Sequence, residues 1–279
     1  MNGIILIDKQ RDWTSHDVVA KLRGILRERR IGHGGTLDPM ATGLLPVFVG
    51  RATRAVEYLP GDKTYEAVMT LGLTTTTQDI TGETLTTSAE RPDPTAVALS
   101  FIGERLQTPP MVSAVKINGQ KLYDLARQGI EVEREPRKVT FHSIEIAKID
   151  DSNYKLRVKC SAGTYIRTLI HDIGQTLDCG AALASLRRVA VGNYRVEQAK
   201  TLDKISYRDL LPLDSLFSEY PAYTVDINRL KCVLNGNPCK AAIDDGLYRV
   251  YSLKEEFLAL GRAENGILST VKSFFEVKK

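Results

Sequence analysis

Hydrophobic positions along this chain change period several times, and each change marks an element. Gly3 to Ile7 is a short continuous apolar run closed by Asp8 and Lys9, the pattern of a buried strand. Thr14-Ser15-His16-Asp17 then supplies a capping box, and Val18, Val19, Leu22, Ile25 and Leu26 follow at helical spacing. From Tyr65 to Gly72 the spacing is two: Tyr65, Ala67, Met69 and Leu71 share one face and Glu66, Val68 and Thr70 the other, so a half-buried strand is predicted. Thr74 to Thr77, with Asp79 and Gly82 beyond, reads as a polar loop, and Asp93-Pro94 opens a short helix through Val97, Phe101 and Ile102. Asn118-Gly119 predicts a tight turn after a Val112–Ile117 strand. A helix over Leu122–Arg127 closes at Gly129. Val139–Ile146 and Tyr154–Cys160 alternate and form a hairpin through Asp150-Asp151-Ser152-Asn153. After Gly163, the positions Ile166, Leu169, Ile170, Ile173 and Leu177 make one helical stripe.

Strands joined by hairpins more than by βαβ units predict an α+β fold, with a mixed, mainly antiparallel sheet flanked by helices. Pro212 and Pro221 bracket a helix-length segment, and a boundary is placed around Leu211 to Pro221. Beyond it come short strands and turns at Ala222–Val225, Asn235-Gly236-Asn237-Pro238, Leu247–Tyr251, Phe257–Leu260 and Val271–Val277. Two units are therefore expected, a large one over 1–215 and a small β-rich one over 222–279. No internal repeat or low-complexity segment interrupts them.

Composition changes this picture little. With 279 residues, 43% hydrophobic and 26% charged, the chain has the make-up of an ordinary globular protein and not of a disordered one. A net charge of +4 permits a nucleic-acid partner through a local patch without demanding one. The four cysteines at 160, 179, 232 and 239 include no C-x-x-C pair and no histidine at ligand spacing, so neither a metal site nor a disulfide framework is expected. The first apolar run meets Asp8 and Lys9 too soon for a signal sequence, and no stretch has membrane-spanning length; a cytoplasmic protein is expected. No dinucleotide fingerprint or P-loop is present, and no cofactor is expected.

The stretch from Arg29 to Pro46 carries the chemistry. One acid, Asp38, stands in a glycine-rich loop flanked by Arg27, Arg29 and Arg30 before it and Arg51 and Arg54 after it. Asp38-Pro39 is also a good helix cap or turn, and spacing alone leaves both readings open. The longer string Gly-His-Gly-Gly-Thr-Leu-Asp-Pro-Met-Ala-Thr-Gly-Leu-Leu-Pro over 32–46 resembles the catalytic-aspartate motif of the TruB-type tRNA pseudouridine synthases. The likeness continues in Asp62-Lys63-Thr64-Tyr65-Glu66, in Pro110-Met111-Val112-Ser113-Ala114-Val115-Lys116, in the 163–172 stretch from Gly163 through Tyr165 and Arg167 to Asp172, and in Leu186-Arg187-Arg188. Near the N-terminus the chain departs from the family's Asp-Lys-Pro-x-Gly pattern, with Gln10 for the proline and Asp12 for the glycine.

The resemblance implies a synthase that isomerises the T-loop uridine of tRNA, commonly numbered 55, after flipping it out of its stack. It also implies no guide RNA, no membrane and a monomer. It gives Asp38 the role of catalytic carboxylate, Arg167 that of its counter-ion, Tyr65 that of the tyrosine against the target base, and Leu186 that of a pocket wall. His33 corresponds to a residue that wedges into the vacated space. Lys9, Arg54, Tyr165 and Arg188, with the Arg29-Arg30 pair, are candidates for RNA contact. Read as bare residues, Tyr65 and Leu186 fit core packing, His33 a turn, and Arg167 a solvated helix face. Trp13 fits either core packing or stacking on RNA. His171-Asp172 is not a dyad, because adjacent helical side chains diverge. The small C-terminal unit resembles a PUA-like RNA-binding domain. Two rival readings remain: a guide-dependent synthase acting on ribosomal RNA, and a non-catalytic RNA-binding protein or RNA chaperone.

Overall fold

In the computed structural model, which describes residues 2–113, 116, 117 and 119–275, the first strand predicted by the apolar run is β1 (Gly3–Lys9). It is followed by α1 (Ser15–Leu26), β2 (Ile31–His33), β3 (Thr42–Val49), β4 (Lys63–Leu71), β5 (Leu73–Thr75), β6 (Thr84–Thr87), α2 (Thr95–Ser100), β7 (Gly103–Gln107), β8 (Lys116–Ile117), β9 (Gln120–Lys121) and α3 (Leu122–Arg127). Then come β10 (Arg137–Lys148), β11 (Asn153–Cys160), α4 (Ile166–Thr176), β12 (Ala181–Val191) and β13 (Tyr194–Arg195). The C-terminal part holds β14 (Ala222–Thr224), α5 (Ile227–Leu234), β15 (Cys239–Lys240), β16 (Gly246–Tyr251), β17 (Phe257–Glu264) and β18 (Ile267–Ser273).

The large sheet runs β1-β3-β12-β4-β11-β10-β7, with β2 added to β3 and β13 to β12. Every ladder in it is antiparallel except the short β3–β12 contact, so the fold is α+β with a mixed, mainly antiparallel sheet. Register follows side-chain alternation. In β4 the side chains of Tyr65, Ala67, Met69 and Leu71 are buried while Glu66, Val68 and Thr70 are half-exposed. Helix α4 lies against β12 with Leu169, Ile170 and Ile173 fully buried. A Cβ at Gly174 would stand 2.0 Å from the Ala181 backbone nitrogen, so only glycine lets this helix approach the strand so closely.

Residues 222–275 form a five-stranded sheet, β14-β16-β17-β18-β15, with its own apolar core around Val225, Val250, Leu258 and Leu268. It is joined to the large sheet by a second cluster in which Phe217 packs against Phe257 and Phe274, at ring distances of 5.9 and 5.8 Å. Lys272 also reaches Glu57 at 2.6 Å, and the Arg51 guanidinium bonds the Phe275 carbonyl.

Several sequence expectations change. Ile25 is 37% exposed, because Val18, Val19, Leu22 and Leu26 already fill the buried arc of α1 and position 25 lies on its edge. The threonine-rich loop is a hairpin, Leu73–Thr75 pairing with Thr84–Thr87. The Val112–Ile117 strand is reduced to Lys116–Ile117, which pairs with Gln120–Lys121. Ala114, Val115 and Asn118 of that expectation lie outside the described residues. Between Pro212 and Pro221 the chain makes only a 3-10 turn, Leu213–Phe217. Helix α5 was not foreseen, although Asp226 caps it. The last strand begins four residues early, at Ile267, after an Asn265-Gly266 turn with both φ positive, and positions 276 and 277 lie outside the described residues.

Candidate active site

Asp38 sits in the connection between β2 and β3. Its carbonyl accepts from the Ala41 nitrogen at 3.0 Å, so Asp38-Pro39 opens a tight turn, with proline's fixed φ in the second position. The loop is tied to the start of α1. The Leu37 nitrogen donates to Ser15 Oγ at 2.9 Å, Ser15 Oγ donates to the Leu37 carbonyl at 3.2 Å, and the Asp12 nitrogen donates to the Pro39 carbonyl at 2.9 Å. Asp12 takes φ 66°, the left-handed backbone for which a glycine is suited, and Asp tolerates it better than most side chains. The capping box holds this helix start, with the Asp17 nitrogen donating to Thr14 Oγ1 and the Thr14 nitrogen to Asp17 Oδ2.

Lys9 is part of the same tie. It is 1% exposed, and its ammonium donates to the carbonyls of Gln10, Trp13 and Pro39 at 3.0, 2.6 and 3.2 Å. Burial brings its pKa down to about 8, opposed by the Asp38 charge. Lys9, a candidate for phosphate contact from sequence, is buried here as an internal clamp on the aspartate loop. Trp13 packs half-buried against the core.

The opposite wall comes from α4. Tyr165 precedes the helix, and Gln107 of β7 holds its backbone twice: the Tyr165 nitrogen donates to Gln107 Oε1 at 2.8 Å and Gln107 Nε2 donates to the Tyr165 carbonyl at 3.0 Å. Arg167 follows, and its side chain is 3% exposed, not on a solvated face. Its Nε meets Asp38 Oδ2 at 3.0 Å, Nη1 donates to the Thr77 carbonyl at 3.1 Å, and Nη2 donates to the Val112 carbonyl at 2.7 Å. Asp79 Oδ2 stands 3.7 Å from Nη1, while Asp79 Oδ1 accepts from Thr81 and Thr77. A guanidinium so completely bonded has one orientation.

Asp38 has Arg167 as its sole hydrogen-bond partner among the described residues. Burial pushes its carboxyl pKa up. The Arg167 charge pulls it back, and the buried Asp79 charge pushes it up again. Together these leave an ionisable carboxylate that is positioned but not saturated with donors.

Asp38, Tyr65, Tyr165, Arg167, Leu186 and Arg188 line one cavity of about 350 Å³. Sequence separations of more than a hundred residues thus collapse into one site. Tyr65 and Leu186 are each 7% exposed, and burial raises the Tyr65 phenol while neighbouring Arg188 lowers it. Arg188 is fully buried, with Nε donating to the Leu44 carbonyl at 2.8 Å and Nη2 to the Gly35 carbonyl at 3.1 Å. This candidate for RNA contact is a buried cation in the cavity wall. Lys63 lines the same cavity, its pKa lowered by burial and then by Arg188. Gly35, at φ 101°, holds a left-handed backbone that favours glycine, and a Cβ there would make only ordinary contact with Lys63 Cε and Arg188 Nη1, at 3.5 and 3.6 Å.

His33 and Arg54 do not line the cavity. His33 ends β2, half-buried, with Nδ1 unpartnered among the described residues and its pKa lowered by burial. Arg54 is exposed, as are Arg27, Arg29 and Arg30. The Gly50 nitrogen bonds the Arg30 carbonyl at 2.7 Å and so sets these arginines around one junction. The residues that sequence reasoning missed are Asp79, Lys63 and Ser113. Asp79 gave no signal beyond a threonine-rich loop, whereas Lys63 and Ser113 lay inside motif blocks already singled out. No group of His, Cys, Asp or Glu among the described residues is gathered to hold a metal, and no helix among them is long and apolar enough to cross a membrane.

Comparison with known proteins narrows this geometry to a class. The model of the TruB family pseudouridylate synthase N-terminal domain matches residues 23–166, and that of the tRNA pseudouridylate synthase B C-terminal domain matches 167–217. These matches and the fold define the chain as an RNA pseudouridine synthase, an isomerase. Relatives named tRNA pseudouridine synthase B include one from Clostridium kluyveri, 41% identical over 98% of this chain and all of the relative, and one from Burkholderia mallei, 40% identical over 96% of this chain and 95% of the relative. The chain belongs to the TruB family. Among solved structures, a chain of the Cbf5-Nop10-Gar1 complex superposes with TM-score 0.72 at 30% identity, covering 98% of this chain and 85% of that one. A chain of an H/ACA RNP bound to a substrate RNA containing 2'-deoxyuridine superposes with TM-score 0.71 at 28% identity, with the same coverage.

Proposed function

We propose that this chain converts the T-loop uridine of tRNA, position 55, to pseudouridine, taking the uridine out of its stack and needing no guide RNA. The observation that carries the reading is the Asp38–Arg167 pair, 3.0 Å apart, on the wall of a cavity of nucleoside size. The reaction is an isomerisation. The N1–C1′ bond breaks, the base turns, C5 bonds to C1′, and a proton is lost from C5 as one is gained at N1.

Asp38 is the carboxylate that meets the reacting nucleotide, and Arg167 keeps it ionised when RNA excludes water. Tyr65 and Leu186 face the base. Arg188 and Lys63 form a cationic pole suited to the nucleotide's phosphate. Flipping costs a few kcal/mol of unstacking, and in this reading His33 fills the vacated step. The exposed arginines 27, 29, 30 and 54 would meet RNA phosphates, which supply affinity more than selectivity. In this reading the 222–279 unit is PUA-like and RNA-binding, beside a 1–215 catalytic unit, and the chain works as a cytoplasmic monomer.

The test is tritium release from a tRNA transcript carrying tritium at uridine C5. Wild type should release it, and replacing the T-loop uridine should abolish release. Asp38→Asn should release none while binding tRNA within about threefold of wild type; measurable turnover by that variant would remove Asp38 from the chemistry. The likeness to a chain of an H/ACA RNP bound to a substrate RNA supports a second reading, in which an RNA guide selects the uridine. Release from unguided transcript argues against it, and binding without release argues for it.

A further inference from the structure

The Pro110–Lys116 block supplies one cavity-lining side chain with no role so far, that of Ser113. Its side chain is buried, 5% exposed as a residue, and Oγ has no hydrogen-bond partner among the described residues. A buried hydroxyl without a partner is costly, and the known ways of satisfying it are a protein group, water or a ligand. Here no described residue supplies a partner, and Ser113 borders the cavity. Its backbone is held firmly: the Ser113 nitrogen donates to the Met111 carbonyl at 3.0 Å, and the Ser113 carbonyl accepts from the Tyr123 nitrogen at 3.1 Å. The preceding carbonyl, that of Val112, is the one bonded by Arg167. The hydroxyl is therefore one residue from the guanidinium that orients Asp38.

Besides Ser113, the cavity is lined by the neutral polar side chains of Thr36, Tyr65, Thr164 and Tyr165 and by four charged ones, and the Thr164 hydroxyl is spent on the Ser161 carbonyl. Asp38 and Arg167 stand at the carboxylate end, and Arg188 and Lys63 form the cationic pole. Tyr65, Leu186 and Ile166 give it ring-facing walls. A neutral hydroxyl matches the remaining part of a uridine, the uracil edge. We propose that Ser113 is a substrate-binding residue whose hydroxyl donates a hydrogen bond to an exocyclic carbonyl oxygen of the flipped uracil. This rests on the functional reading above.

The chemistry favours a carbonyl contact. When N1–C1′ breaks, the bonding electrons stay on the base, and the charge spreads onto O2 and O4, where a fixed donor stabilises it. Turning the ring about its N3–C6 axis exchanges N1 with C5 and O2 with O4. A donor that meets one oxygen before the turn meets the other after it, so a single hydroxyl serves both halves of the reaction.

The experiment is single-turnover tritium release at saturating enzyme, with tRNA affinity measured separately by filter binding. Ser113→Ala should slow release about 10- to 100-fold with affinity within about threefold of wild type, and Ser113→Thr, which keeps the hydroxyl, should recover most of the rate. A second arm places 2-thiouridine or 4-thiouridine at the target, since sulfur is the weaker acceptor. One of the two should slow wild type more than it slows Ser113→Ala. Equal rates for wild type and Ser113→Ala would overturn the proposal. So would Ala and Thr variants that are equally slow, or thio effects of the same size in both enzymes. Absence of release by wild type on unmodified transcript would instead defeat the functional reading itself.

Discussion

Asp38 and Asp226 begin alike and end differently. Each is an aspartate at the head of a turn or helix, and each has an arginine partner, Arg167 at 3.0 Å for the one and Arg229 for the other. Asp226 is the N-cap of α5, its Oδ1 accepting from the backbone nitrogens of Asn228 and Arg229 at 3.0 and 2.9 Å. Those backbone donors, the Arg229 nitrogen foremost, hold its carboxyl below the usual range. Asp38 accepts no backbone N–H among the described residues, and burial drives its pKa the other way. A carboxylate satisfied by its own helix is finished as a chemical group. One held by a single guanidinium on a cavity wall still has lone pairs to offer.

The largest test of this contrast is Arg167→Ala. It removes the charge that opposes burial of Asp38, leaves the Thr77 and Val112 carbonyls without that donor, and leaves Asp79 without its counter-charge. Single-turnover tritium release should drop by several orders of magnitude, and urea unfolding should show a loss of about 3–5 kcal/mol, chiefly the cost of leaving the buried Asp79 without its partner, since the Asp38 side chain is 35% exposed. A rate loss below tenfold would erase the distinction between the two aspartates.

Next in size is the pH profile. Asp38 must be ionised to act, and its pKa is raised, so the rate should fall with acidification starting above the ordinary aspartate range. For stability the sign is the reverse of the usual carboxylate case. A raised folded-state pKa means that the folded state binds its proton more tightly than the unfolded one, so this group opposes folding above its folded pKa and the penalty fades as pH falls. Comparing urea midpoints of wild type and Asp38→Asn across pH 4–7 should show the variant's advantage growing with pH. A constant difference would show that burial does not perturb Asp38.

Phe217→Ala separates stability from chemistry. It opens the aromatic cluster between the two sheets and should cost about 3–5 kcal/mol in urea unfolding. Tritium release at permissive temperature should change only a few-fold. A collapse of the rate with the fold intact would mean that the C-terminal unit helps to shape the cavity. The smallest effect is expected for Asp226→Ala: a slight decrease in the urea midpoint from the lost cap, and release within about twofold of wild type. A large loss of release would give Asp226 more than a structural part.

Local signals carried much of the fold into the sequence. Alternation in β4, the stripe of α4, the Thr14–Asp17 box and the β10–β11 hairpin were legible because each depends on residues a few positions apart. Misreadings arose where a distant partner decides the outcome. Helical position 167 looks solvent-facing from its neighbours, yet the arginine is buried because Asp38, Asp79 and two carbonyls converge on it. Lys9 and Arg188 read as candidates for RNA contact, and nothing in their spacing shows that carbonyls of Pro39 for the one and of Leu44 and Gly35 for the other hold them inside. No element is predicted over residues 227–234, although Asp226 is a cap signal for the helix found there.

By itself the sequence determined the order of elements, the glycine-rich loop with its lone acid, and the motif blocks by which the chain resembles its family. Only tertiary structure decided which of the charged residues are buried and which way they face. The physical reason is that secondary structure follows from spacing along the chain, whereas the state of a charge follows from what surrounds it. At Asp38 those surroundings come from four separate stretches: the aspartate loop, the Thr77–Asp79 turn, the Val112 backbone and the first turn of α4.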